Sequence, residues 1–243
     1  MSDWIYGFFM AWGMFLTIPC PKKIWRESAR RKMLACLPLI GLIVGGIWAL
    51  CAWLGSFLPQ PLAALLCAAA PWLITGFMHL DGYMDVCDAV LSRRDLETRQ
   101  RILKDSHCGA FAVICLALLV LCQWAVFLSA EALPLWPLTL IPAASRACAA
   151  LAVLTLRPMS TSQYAQREKR KAHIALLLTM LILAVGAGFL VWGKYGFALI
   201  GCLVGCGLAL RRGYRSLGGM NGDIAGYSLT MGELAAVAVW TLL

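Results

Sequence analysis

Three aspartates, Asp81, Asp85 and Asp88, stand at spacings of four and three residues in the run His79-Leu80-Asp81-Gly82-Tyr83-Met84-Asp85-Val86-Cys87-Asp88. On a helix advancing about 100° per residue, their carboxylates fall within roughly 60° of one another. Like charges that close repel, so the cluster needs a compensating cation or raised pKa values. Hard oxygen ligands at the end of an apolar segment suit Mg²⁺ or a similar ion, and with it phosphate chemistry. The competing reading is a solvated helix face just outside a membrane.

Three further groups carry chemistry. Gly218-Gly219-Met220-Asn221-Gly222-Asp223-Ile224-Ala225-Gly226 has glycines at 218, 219 and 222 whose amides can approach a ligand closely. At the start of a helix such amides form an anion site, and Asp223 is then a further metal ligand; the other reading is a flexible turn between two spans. Lys104-Asp105-Ser106 opens the next apolar segment. Lys104 and Arg101 are placed to neutralise developing phosphate charge, although charge placement beside a membrane accounts for both equally well. Ser145-Arg146 lies deep in an apolar run, where an unpaired arginine costs roughly 2.5–3.5 kcal/mol. Its expected partner is a carboxylate of the aspartate cluster or a substrate phosphate, with purely structural pairing as the alternative. His79 is a candidate base, a group that orients a ligand, or simply an interfacial histidine.

The elements that must position these groups are membrane helices. The chain has 243 residues, 61% hydrophobic and only 14% charged, far too apolar for an ordinary soluble domain. Apolar segments run about 4–19, 34–54, 62–80, 109–130, 135–156, 174–192, 195–210 and 225–243. They predict an all-α, polytopic bundle of six to eight spans, a single membrane domain over residues 1–243. Pro38, Pro71 and Pro142 are expected to kink their helices. Gly41/Gly45, Gly201/Gly205 and Cys202/Cys206 give small faces for close helix packing. Residues 93–101 and 163–173 read as charged amphipathic helices on the membrane surface. The start, Met1-Ser2-Asp3, has no basic stretch, and no cleaved leader is expected.

Nineteen of the 21 basic residues fall in alternate loops. By the positive-inside rule those loops are cytoplasmic, and so are the polar groups they carry. With eight spans both termini lie outside; without the first, the N-terminus lies inside. The net charge of +9 follows from this bias and requires no nucleic acid. None of the eleven cysteines forms a Cys-x-x-Cys pair, and most lie in apolar runs, which argues against a disulfide framework or a zinc site. Polar groups gathered on one face, with only Arg146 and Glu233 in the apolar interior, favour an enzyme over a carrier.

Taken in order along the chain, these motifs resemble the cobalamin synthase family, the adenosylcobinamide-GDP ribazoletransferases. The resemblance rests on His79-Leu80-Asp81-Gly82 with Asp85 and Asp88, Lys104-Asp105-Ser106 with Gly109, and Ser145-Arg146. Leu217-Gly218-Gly219-Met220-Asn221-Gly222-Asp223 with Gly226 and the N-terminal Phe15-Leu16-Thr17-Ile18-Pro19 complete it. It covers essentially the whole chain. Two positions depart from the pattern. Ala89 stands where glycine is usual, and His107-Cys108 stands where arginine usually follows Lys-Asp-Ser.

The resemblance implies the last step of nucleotide-loop assembly. A ribose hydroxyl of α-ribazole, or of its 5′-phosphate, attacks the cobinamide-side phosphorus of adenosylcobinamide-GDP, and GMP leaves. It also implies a Mg²⁺ requirement. On this reading Asp81, Asp85, Asp88 and Asp223 hold metal; His79, Asp81, Lys104 and Arg146 are catalytic; Ser106, Gly218, Gly219 and Gly222 bind substrate. The deprotonating base is His79 or a metal-polarised aspartate. A CDP-alcohol phosphotransferase is the nearest other enzyme, but Asp81-Gly82 lacks the Ala-Arg pair of that motif. A transporter is the non-enzyme alternative. The sequence does not set the oligomeric state.

Overall fold

A computed structural model describes residues 2–130, 135–159 and 171–243 and forms eleven α-helices, with no β-sheet among the described residues. Four segments are long and apolar enough to cross a bilayer. They are α3 (Leu37–Gly55), α7 (Ala110–Leu128), α8 (Trp136–Thr155) and the stretch Lys171–Leu217. That stretch has 47 residues, about 70 Å if straight, more than twice the hydrocarbon thickness. It is two helices, α9 (Lys171–Trp192) and α10 (Phe197–Leu217), broken by a 3₁₀ turn in which Gly193 has φ +58°.

A fifth candidate is a bent pair, α4 (Gln60–Ile74) and α5 (Met78–Leu91), whose axes differ by 92°. Length and composition therefore give four such segments, or five with that pair, and one of the four holds two helices of span length. Two of the expected apolar segments fold otherwise. Helix α1 (Asp3–Phe15) has 13 residues, about 20 Å, too short to cross. The run 62–80 is not one helix but breaks at Thr75–Phe77. Helix α5, 14 residues long with three carboxylates and turned nearly perpendicular to α4, is by itself too short and too charged to count as a span.

The core divides in two. One cluster packs Ile40, Val44 and Trp48 of α3 against Leu138 and Ile141 of α8 and Trp240 of α11 (Gly222–Thr241). The indole of fully buried Trp48 donates to the Cys67 carbonyl at 2.7 Å. The other lies under α5 and gathers Val86, Ala89, Leu103, Leu217, Met220 and Ile224. Helix α8 is central, with every residue from Ile141 to Ala147 buried. The expected small-residue faces are used. Gly41 and Gly45 lie on the α8 backbone at Pro142 and Thr139, and Gly201 and Gly205 lie on Val239 and Ala235 of α11. Leu118 and Leu121 of α7, Ile182 and Leu190 of α9 and Leu208 of α10 are exposed, an outer apolar belt that suits lipid.

Pro71 and Pro142 lie inside α4 and α8, as expected, but Pro38 sits in the first turn of α3 and starts that helix. That is where a proline's missing N–H costs nothing. A short helix, α2 (Arg30–Ala35), precedes it. Of the two expected surface helices, the first is α6 (Leu96–Ile102), capped by the Asp95 carboxylate, which accepts from Thr98 N–H at 3.0 Å. The second, over 163–173, falls largely outside the described residues.

Candidate active site

The aspartate helix is aimed by an elbow. Gly76 and Phe77 both adopt left-handed backbone, φ +60° and +62°, which costs a non-glycine residue about 1–3 kcal/mol and persists only where surroundings impose it. The segment after α1 supplies that restraint. Thr17 N–H donates to the Ile74 carbonyl at 2.9 Å, and its hydroxyl reaches the Leu73 and Ile74 carbonyls at 3.2 and 3.1 Å. These carbonyls lie in the last turn of α4, where the regular helical donors run out. The Phe15–Pro19 motif thus fixes the direction of α5.

Helix α5 crosses the start of α11 at close range. A Cβ at Gly82 would lie 2.9 Å from Asp223 Cα, and one at Gly226 would lie 3.1 Å from the His79 carbonyl oxygen. Each motif glycine makes room for the other motif, which brings Asp81 and Asp223 to one place. Asn221 finishes the arrangement. Its side-chain oxygen accepts from Ile224 N–H at 3.0 Å, capping α11, and its amide nitrogen donates to Asp223 Oδ2 at 2.6 Å. Asn221 was not among the expected site residues; its place directly before a helix start, as a strong N-cap type, was the available signal.

The four carboxylates act on one another. Burial, then the charges of Asp81, Asp223 and Asp88, push Asp85 up to about 7 from its ordinary 3.8. The Asp88 carboxylate lies directly against Gly109, the residue that caps α7, leaving no room for a Cβ there. The Lys-Asp-Ser motif therefore meets the cluster through its trailing glycine. Gly109→Ala is expected to displace Asp88 and lower turnover by roughly 10²-fold, as a misplacement of about 1 Å does. Steady-state rates on protein matched for membrane level check this, and unchanged turnover would show that Asp88 is dispensable.

Only carboxylates converge here, a donor set that fits a hard divalent cation and not zinc. As the side chains lie, no three His, Cys, Asp or Glu among the described residues stand close enough to hold one ion.

Asp81, Asp223, His79, Arg146 and Gly222 line a cavity of about 200 Å³ between α1, α5, α8 and α11. His79 stacks on Phe15, ring centroids 5.9 Å apart, and its Nε2 is enclosed without a partner among the described residues. Burial and the nearby Arg146 charge hold its imidazole far below the usual range, at about 3, so it is neutral.

The remaining expected residues fall elsewhere. Lys104 and Ser106 are exposed outside the cavity lining, and Asp105 accepts from the His107 backbone at 3.0 Å. Gly218 ends α10 with φ +74°, and Gly219 packs on Met159. There Met159 N–H donates to Met220 O, and Met220 N–H to Arg157 O, both at 2.9 Å. These two glycines shape a turn; Gly222 alone of the three faces the cavity. Arg146 meets neither an aspartate of the cluster nor open solvent. It pairs with Glu233 at 2.9 Å, and the Ser145 hydroxyl donates to the same carboxylate oxygen at 2.8 Å. Glu233 is the partner that local spacing did not reveal.

Fold and site together define a helical membrane enzyme whose carboxylates lie beside a cavity between its helices. The chain belongs to the cobalamin-5-phosphate synthase family, whose pattern matches residues 7–241, and is a transferase of cobalamin synthesis. It is 35% identical over 247 residues to the adenosylcobinamide-GDP ribazoletransferase of Clostridium botulinum strain Alaska E43, covering 98% of this chain and 97% of that one. The enzyme of the same name from Clostridium perfringens strain 13 is 38% identical, with 94% of each chain covered. That of Halalkalibacterium halodurans is 34% identical over 99% of this chain and 97% of its own. No solved structure matches the chain significantly.

Proposed function

We propose that this protein transfers adenosylcobinamide phosphate from adenosylcobinamide-GDP to α-ribazole or its 5′-phosphate, on the cytoplasmic side of a bacterial inner membrane. The observation that carries this reading is the meeting of Asp81 and Asp223 in the lining of the cavity, in a chain whose relatives carry that name over nearly their full length. The ribose oxygen forms a bond to the cobinamide-side phosphorus. The bond from that phosphorus to the bridging oxygen breaks, and GMP departs with the oxygen.

Mg²⁺, held by Asp81, Asp85, Asp88 and Asp223, would supply the positive charge that a diphosphate requires before a hydroxyl can approach it. The chain's own groups do the rest. Asp223 is oriented by Asn221, and the α5–α11 crossing carries Asp81 beside it. The hydroxyl proton passes to Asp81, which lines the cavity. His79 is the poorer acceptor, because an imidazole that resists protonation this strongly is mismatched to neutral pH. It serves as a wall.

A reconstituted assay tests the reading. Purified protein in liposomes, given adenosylcobinamide-GDP, α-ribazole and Mg²⁺, should release GMP without moving either solute inward; flux without GMP release would refute it.

The raised Asp85 gives a pH signature. Between about pH 4 and about pH 7 the folded metal-free protein holds a proton that the unfolded chain releases, so its stability falls as pH rises through that window. A divalent cation competes with that proton. The Mg²⁺ concentration for half-maximal rate is therefore expected to fall, by up to about tenfold per unit, as pH rises from about 6 to about 7. A Mg²⁺ requirement independent of pH over that range would show that Asp85 takes no part.

A further inference from the structure

The cavity is enclosed mostly by apolar side chains: Met14 and Phe15 from α1, Leu37 from α3, Ala149 and Val153 from α8, and Leu229 from α11. Its volume, about 200 Å³, lies below the usual range for a whole drug-sized ligand, so it seats one fragment of a substrate and never a corrin ring. Two residues of its lining, His79 and Arg146, each hold a buried side-chain nitrogen, Nε2 and Nε, without a partner among the described residues. Arg146 is only 2% exposed, and a buried donor left unpaired is costly enough to call for a ligand acceptor.

Connectivity decides which fragment fits. The Asp81 and Asp223 carboxylates in the lining mark where the phosphorus reacts. In the attacking nucleoside, hydroxyl and base are separated by the ribose ring alone. In the donor, guanine is removed from the reacting phosphorus by a second phosphate and a further ribose. A group held in the cavity directly beside Asp81 and Asp223 therefore belongs to the nucleoside. Guanine also brings an edge of several donors and acceptors, which these apolar walls would leave unpaired. A benzimidazole is flat and apolar with a single free ring nitrogen. It can stack on the Phe15–His79 aromatic wall and accept from Arg146 Nε–H.

We propose that the cavity between α1, α5, α8 and α11 seats the benzimidazole base of the ribazole nucleoside and sets which lower-ligand bases are accepted. The proposal rests on the transferase reading above.

Ala149→Leu, which grows a buried side chain into the cavity, tests it. The KM for α-ribazole should rise roughly tenfold or more, as for a hydrophobic pocket shortened by a few methylenes. The KM for adenosylcobinamide-GDP should stay within about twofold. Val153→Ala provides the opposite arm and keeps the test valid if the larger residue fails to fold. It should raise kcat/KM for a naphthimidazole riboside relative to α-ribazole. A rise in the adenosylcobinamide-GDP KM instead, or no change in base selectivity in either variant, overturns the assignment while wild-type GMP release leaves the transferase reading intact. A wild-type protein that releases no GMP overturns both.

Discussion

Asp81→Asn and Asp223→Asn are each expected to lower GMP release by at least about 10³-fold while leaving the protein folded in the membrane. The size follows from position. Both residues line the cavity, and each is fixed by the other's helix, since Gly82 lies on the Asp223 backbone. Asparagine keeps the shape of the side chain, so the crossing of α5 and α11 survives. It removes the charge that recruits a cation, and at Asp81 the proton acceptor as well. A stability readout separates this from misfolding. Burial and the like charges of Asp81, Asp223 and Asp88 raise Asp85, so the metal-free wild type carries repulsion that the variants relieve. Each variant should therefore resist heat as well as the metal-free wild type or better while being inactive, the trade expected where a site is strained for function. Near-wild-type activity in both would remove the cluster from the reaction. Inactivity with loss of the folded protein would make these carboxylates structural.

The class of the fold was open to reading in the sequence because lipid imposes it: long apolar runs have few other uses, and spans must be helices. The aspartate face was readable for a similar reason, because its period belongs to one helix and needs no knowledge of neighbours. What failed depended on long-range pairing. The run 62–80 is apolar throughout, so hydropathy hides the elbow at Gly76–Phe77, which Thr17 imposes from a segment 56 residues or more away. The glycines of the turn before α11 were expected to offer amides to phosphate. Gly218 and Gly219 instead shape that turn, and Gly226, like Gly82 of the aspartate run, lets two helices touch. Spacing alone cannot separate these uses, because both need only the absence of a Cβ.

The same limit hid the partner of Arg146, and the pair supports the second large effect. Glu233→Ala is expected to destabilise the protein by roughly 3–5 kcal/mol, because it leaves a buried guanidinium unpaired where water cannot reach it. Arg146 and Glu233 are 2% and 5% exposed. Arg146 also donates to the Pro142 carbonyl at 3.1 Å, and Ser145 donates to Glu233, so the pair ties α8 to α11 across the floor of the cavity. Removing both charges should undo most of the loss, since a buried pair replaced by apolar groups of similar size is often neutral or better. Arg146→Met with Glu233→Leu is therefore expected to recover the thermal midpoint in detergent that Glu233→Ala loses. Activity distinguishes structure from function. If Arg146 only joins helices, the double variant regains turnover with its stability. If its unpartnered Nε meets the nucleoside base, the double variant is stable yet has a raised KM for α-ribazole and an unaltered KM for adenosylcobinamide-GDP. The second outcome is the expected one, because Arg146 belongs to the cavity lining and its Nε–H has no partner among the described residues.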